Sequence, residues 1–223
     1  MDSFVVKAVM VLVPMILSLT FHEYAHAFVA RRLGDRTAEE QGRLTLNPIS
    51  HIDPIGTLLL PLALLAASGS GIPFFGWAKP VPYNPARFDP KYKLQTGAML
   101  VAAAGPISNT LFAILLTVGW GLAFRFGVHV SDIAQTILQR MIGINVGLAI
   151  FNFIPLPPLD GSKVLLGLLP PAQAEAYAAF MSRAGVFILF ALVMFGGRVL
   201  YVPMSQAYSF LLGTVLPVVA YGI

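Results

Sequence analysis

Long apolar runs alternate with short polar stretches along the whole chain. A helix needs about 20 apolar residues to cross ~30 Å of hydrocarbon. Phe4 to Val29, Leu94 to Phe124 and Ile133 to Ile154 each meet that length. Gly185 to Val202 and Tyr208 to Gly222 do so toward the end, with Pro203 between them. Ile55 to Ala67 is as apolar but only about two-thirds of a span. Arg31, Arg32, Arg36 and Arg43 follow the first run, and Lys79, Arg87, Lys91 and Lys93 precede the second long one. Both basic clusters belong on the cytoplasmic side, so the short run between them is expected to dip into the membrane and return, with an ordinary short span of a thin bilayer as the alternative. Irregular backbone at that depth is tolerated where protein or a water-filled cavity covers it.

Two segments carry a different period. Gly42 to Asn47 alternates polar and apolar positions before Pro48, the pattern of a short strand. Gly76 to Asn84 has prolines spaced for an extended edge segment. The pattern therefore predicts an all-α polytopic membrane protein with a short re-entrant β/loop region and two additional C-terminal membrane helices. It shows no repeat or linker, so residues 1–223 read as a single domain.

Composition narrows the function classes. Of 223 residues 57% are hydrophobic and 11% charged, against about 25% charged in soluble domains. The net charge of +4 sits at the ends of apolar runs, which suits lipid headgroups and not nucleic acid. The lipid bilayer is the first expected partner. There is no cysteine, which excludes disulfides, thiolate nucleophiles and Cys-based metal sites. Val9 to Leu19 followed by Ala25-His26-Ala27 has the outline of a signal peptide, but its basic n-region is weak; the expectation is a retained span.

The chemistry starts at His22-Glu23-Tyr24-Ala25-His26. Positions four apart share a helix face about 6 Å apart along the axis, and two imidazoles at that spacing can grip one tetrahedral zinc ion. Glu23 is then placed as general base for an attacking water. With four histidines in the chain, a chance H-E-x-x-H arises about once in a thousand such sequences. A polar trio bonded only to itself would leave unexplained a mid-helix carboxylate that costs ~2.5–3.5 kcal/mol to insert.

Two histidines leave a catalytic zinc one protein ligand short. Glu39 and Glu40 are candidates on a polar turn. Asp160 is the stronger one, because it ends Asn152-Phe-Ile-Pro-Leu-Pro-Pro-Leu-Asp160-Gly161. Its prolines remove amide donors and open the helix, and unwound backbone in a membrane surrounds a cavity. Gly161 lets the chain pass close to a metal.

These residues resemble the site-2 protease family of intramembrane zinc metalloproteases, in the short form without a PDZ insertion. The family's H-E-x-x-H corresponds to His22 to His26, and its N-x-x-P-x-P-x-L-D-G to Asn152 to Gly161. Ala104-Gly105-Pro106-Ile107-Ser108-Asn109 is similar to its A-G-P-x-x-N. Asn47 to Gly56 and Gly76 to Pro82 resemble the short form's linking region. The resemblance covers roughly residues 21–161. It implies a three-helix core (about 4–165, with C-terminal helices at about 173–223) and one zinc per chain on His22, His26 and Asp160, below the cytoplasmic surface. The host is a multi-pass protein, expected in the cell membrane. For His22 and Asp160 to meet, their helices must run the same way with the middle helix opposed, which again favours the dip.

The activity implied is hydrolysis of a peptide bond within or beside a transmembrane segment of a membrane protein or peptide substrate, that is, regulated intramembrane proteolysis. Asn152 is expected to position substrate or its oxyanion. Leu44, Thr45 and Leu46 are expected to offer a strand edge to an unwound substrate. His51 reads as structural, Trp77 and Lys79 as an entrance or an interfacial anchor, and Arg125, His129 and Asp132 as a solvated turn. Among rivals, a transporter lacks repeated halves and a zinc scaffold would not need Glu23. A serine protease built on Ser68 or Ser70 lacks a base at helical spacing, and a paired-aspartate protease lacks its second membrane aspartate.

Overall fold

The computed structural model describes residues 4–68 and 76–222. Its helices are α1 (Phe4–Arg32), α2 (Thr37–Glu40), α3 (Leu60–Ser68), α4 (Leu94–Arg125), α5 (Asp132–Asn152), α6 (Asp160–Leu168), α7 (Pro171–Phe195), α8 (Gly197–Phe210) and α9 (Leu216–Tyr221). A π-helical turn, Pro54–Leu59, leads into α3, and another, Leu211–Val215, joins α8 to α9. Among the described residues, five stretches are long and apolar enough to cross a membrane: α1, α4, α5, α7 and the run Gly197–Tyr221. This is a multi-pass helical membrane protein.

The directions of the core helices follow from which residues meet. His22 on α1 reaches Asn109 on α4, and His26, one turn further along α1, reaches Val101, two turns further back along α4. These two helices are antiparallel. On α4 and α5, Asn109 meets Asn145 while Ala113 and Trp120 pack with Ile142 and Val146. As α5 runs from Asp132 toward Asn152, it moves down α4, so α5 is parallel to α1. The ligand-bearing ends of α1 and α5 thus point the same way.

The dip is re-entrant. The Pro54–Ala67 helical run is too short for a span, and its two flanks return to each other. Trp77 N donates to the Gly56 carbonyl at 3.3 Å, and Lys79 N to the His51 carbonyl at 2.9 Å. Asp53 caps the entry, its carboxylate accepting from Ile55 N and Gly56 N. The chain then regains the end of α1, where Asp89 N donates to Leu33 O at 2.7 Å and Phe88 packs on Ala30 and Leu33.

Two expectations are corrected. Among the described residues there is no strand, and Leu44, Thr45 and Leu46 form a series of bends. Asn47 N donates to Thr45 Oγ1 at 3.0 Å, and Thr45 O is bonded by His51 Nε2 at 2.8 Å. Such local side-chain bonds compete with a sheet ladder, and the edge pairing expected of these three residues has no strand to start from. Toward the C-terminus, the break falls at Gly196 between α7 and α8, and Pro203 lies inside α8. Two adjacent glycines let the axis turn freely. Pro203 removes a single helical donor, which membrane helices accommodate.

Gly76 to Asn84 is neither helix nor strand, and Asn84 at its end has extended backbone angles. Besides the bonds of Trp77 and Lys79, Thr57 Oγ1 donates to Trp77 O at 2.7 Å, Arg43 donates to Lys79 O, and Asn84 N donates to buried Asp35 at 2.6 Å. The segment is a strap tied to the dip at Trp77 and Lys79 and to Arg43 and Asp35 beside it. Ser70, considered above as a rival nucleophile, lies outside the described residues.

Candidate metal centre

His22, Glu23 and His26 are all buried on the inner face of α1. Asp160 is the first residue of α6, reached through an unwound stretch, Phe153 to Leu159, that includes a cis peptide between Pro157 and Pro158. The packing here depends on two glycines. A Cβ on Gly161 would lie 2.3–2.4 Å from the carbonyl oxygens of Phe153 and Ile154, and one on Gly105 would lie 2.5 Å from His22 Cε1 and His26 Nε2. Only glycine lets α4 cross so close to the two rings.

Three ligand atoms converge. His22 Nε2 and His26 Nε2 are 3.1 Å apart, and Asp160 Oδ2 lies 3.1 Å from the first and 3.3 Å from the second. Bonds of ~2.0–2.1 Å in a tetrahedron place ligand atoms about 3.3–3.4 Å apart, so the triangle fits a zinc ion. Protonation leads to the same conclusion. His26 Nδ1 sits 2.7 Å from the Val101 carbonyl, which can only accept, so the ring donates there. His22 Nδ1 sits 2.6 Å from Asn109 Oδ1, whose amide nitrogen is already engaged with Ser18 O and Asn145 Oδ1. In neutral imidazoles both Nε2 atoms are then lone-pair acceptors. Two such acceptors and a carboxylate oxygen facing one another repel unless a cation lies between them. A carboxylate that takes part in such a ligand set must be ionised.

Behind His22 runs a hydrogen-bonded chain that the sequence does not advertise. His22 donates to Asn109, Asn109 to Asn145, Asn145 to Ser18 Oγ at 2.8 Å, and Ser18 to the Pro14 carbonyl at 2.7 Å. Ser18, Asn109 and Asn145 are fully buried. The relay ties α1, α4 and α5 together and fixes the orientation of the ring. Only Asn109 had a signal, through its motif. Ser18 and Asn145 look like any polar residue in a membrane helix.

Glu23 is steered by the strap: Val81 N donates to Glu23 Oε2 at 2.8 Å. A backbone donor leaves no side-chain signature, so this contact was not foreseen. Asn152 is half-buried and donates to Leu148 O at 3.0 Å, one turn back on its own helix. His22, Glu23, His26, Asp160 and Asn152 all line one cavity of about 1160 Å³, walled by α1, α5, α7, α8 and the strap. The C-terminal helices α7 and α8 thus form one wall of the cavity.

The other candidates lie elsewhere. Glu39 pairs with Arg31 at 3.1 Å and Glu40 with Arg87 at 2.7 Å, both at the surface. His51 is buried with its Nε2 bonded to Thr45 O. Trp77 lines the cavity and covers Gly56. Arg125, His129 and Asp132 are exposed around the α4–α5 turn.

Fold and site together define a multi-pass membrane protein with a metallopeptidase-type ligand set. The model of peptidase family M50 matches residues 122–195, the part that includes Asp160. "Putative zinc metalloprotease YwhC" of Bacillus subtilis (strain 168) is 39% identical over 205 residues, covering 87% of this chain and 85% of that protein. "Putative zinc metalloprotease Rip2" of Mycolicibacterium smegmatis is 31% identical over 176 residues, 79% of this chain and 63% of that one. No solved structure matches the chain. The chain belongs to peptidase family M50, the site-2 proteases.

Proposed function

We propose that this protein is an intramembrane zinc metalloprotease that hydrolyses peptide bonds within or next to transmembrane segments of other membrane proteins, in regulated intramembrane proteolysis. The observation that carries this reading is the triangle of His22 Nε2, His26 Nε2 and Asp160 Oδ2, with separations of 3.1–3.3 Å, opening beside Glu23 onto a cavity within a helical membrane protein. His22, His26 and Asp160 would hold one zinc ion per chain. When bound, zinc supplies a Lewis acid that lowers the pKa of a water toward ~7 and polarises a carbonyl.

The rest is the work of the chain's own residues. Glu23 takes the proton from the attacking water and returns it to the leaving amine. The Val81 amide holds one carboxylate oxygen of Glu23 and leaves the other for that proton. Asn152, on the cavity wall above the unwound stretch, bonds the substrate or the charge growing on its carbonyl oxygen. Asn109 keeps the His22 ring in the tautomer and orientation a ligand needs. The cavity admits a segment of peptide from the lipid and excludes bulk water. Residues 4–165 would make up the catalytic core of a single domain. Arg31, Arg32 and Arg36 at the metal-side end of α1 support, through the positive-inside bias, a site facing the cytoplasm in the cell membrane.

The test compares wild type with Glu23→Gln, measuring zinc per chain and cleavage of a panel of single-span peptides. About one zinc in each with cleavage by wild type alone is expected. Cleavage by metal-free wild type would overturn the reading.

A further inference from the structure

The cavity extends far beyond the metal ligands along one face of α5, where Thr136, Arg140, Gly143, Gly147 and Asn152 recur at helical spacing. Arg140 stands apart. It is eight residues into a 21-residue apolar span, about 12 Å from its start, and its side chain is half-buried against the cavity. Among the described residues it has neither an ion pair nor a hydrogen bond. A guanidinium at that depth costs ~2.5–3.5 kcal/mol on insertion scales, and such groups face cavities where they serve a function. The charges around it are uneven. The carboxylates lining the cavity are Glu23 and Asp160, both taken up by the active site. The other lining cation, Lys163, lies over the Tyr83 ring at 5.3 Å. One turn from Arg140, Tyr208 of α8 stands over Gly143, where a Cβ would lie 3.5 Å from its ring, and it lines the same cavity. An unpaired planar fork on a cavity wall that also carries Thr136, Gln139, Ser205 and Tyr208 suits a carboxylate.

We propose that Arg140 is the anchor of an anion subsite in this cavity and takes a carboxylate of the bound substrate peptide, either an Asp or Glu side chain or a chain-terminal carboxylate. The proposal deepens the proteolytic reading and rests on it. Asn152 lies twelve residues further along α5, about 18 Å away. A carboxylate bound at Arg140 would therefore stand about five or six residues from the scissile bond if the intervening chain is extended, and about twelve if it is helical. The subsite would set the register in which a featureless apolar helix is presented.

The test uses full-length protein in phosphatidylcholine nanodiscs and single-span peptides in which one Glu, or a Gln in its place, is moved through these positions. At one register the Glu peptide is expected to be cut about tenfold faster in kcat/KM than its Gln twin. Arg140→Gln should erase that preference while cutting the Gln peptide within about twofold of wild type, and Arg140→Glu should transfer the preference to a Lys peptide. A second measurement reads binding of fluorescent Glu and Gln peptides to Glu23→Gln protein, with and without Arg140→Gln. If no register shows a preference, or the preference survives Arg140→Gln, the proposal is overturned. It also falls if Arg140→Gln slows every peptide equally and only when phosphatidylglycerol is added, because the anion is then a lipid phosphate. If wild type cuts nothing while Glu peptides still bind through Arg140, the subsite stands and the proteolytic reading falls.

Discussion

His22 Nδ1 lies 2.6 Å from Oδ1 of Asn109, a residue 87 positions further along the chain. The bond decides which nitrogen of His22 faces the metal position, because Asn109 already gives its amide protons to Ser18 and Asn145. Asn109→Ala should therefore weaken zinc binding by about 10–100-fold. Asn145→Leu, which breaks the relay one step back, should have a smaller effect in the same direction. Competition with a chelator of known affinity measures both, and unchanged zinc affinity in Asn109→Ala would refute the role assigned to the relay.

Gly105→Ala places a methyl group 2.5 Å from ring atoms of both histidines. It should cost more than about tenfold in zinc affinity with the protein still inserted and helical. Gly119→Ala on the same helix meets nothing within 4 Å and serves as the matched control. Equal zinc content in the two variants would count against the close approach of α4.

The strap predicts a loss of turnover without loss of metal. Val81→Pro removes the amide that holds Glu23. A hydrogen bond to a charged group contributes about 1.5–3 kcal/mol, so kcat should fall about ten- to hundredfold while zinc content stays constant. If kcat is unchanged, the Val81 amide has no part in steering the base.

Removing the metal should also loosen the protein. Without a cation the three acceptors of His22, His26 and Asp160 face one another, and a site that binds only the folded state stabilises it by ~2.7 kcal/mol at a hundredfold excess over Kd. Chelation should lower the midpoint of thermal unfolding, and adding zinc back should restore it. Asp160→Asn should show the lower midpoint whether or not zinc is present. A midpoint insensitive to chelation in wild type would argue against the ligand set.

What could be read from the sequence depended on where the information resides. His22, Glu23 and His26 are one helical turn apart, so their shared face follows from helix geometry alone, and Asp160 is marked by the prolines that unwind the chain before it. The directions of α1, α4 and α5 followed from the need to bring these two ends together. The Val81 amide and the Ser18–Asn145 links could not be read, because a backbone donor has no identity and a buried Asn resembles any other. Gly42 to Asn47 misled for a related reason. Alternation of polar and apolar residues describes which way side chains point, and Thr45 and His51 bend the backbone with bonds that alternation does not encode. Pro203 misled because its usual helix-breaking effect weighs less in a membrane helix than the backbone freedom of Gly196 and Gly197.

The ligand set is assembled from opposite ends of the core, His22 and His26 on the first helix and Asp160 beyond the third spanning one. During synthesis, therefore, the first helix must enter the membrane with its histidines and Glu23 uncompensated and wait there. α4 must follow and bring Asn109 and Gly105 to the rings before α5 carries Asp160 into place. On the proposed reading, metal loading would be a late event of biogenesis, and a chain stalled before Asp160 would lack the third group of the candidate site. If the proposed ligand set is right, a nascent chain would gain its hydrolytic chemistry only when insertion is nearly complete.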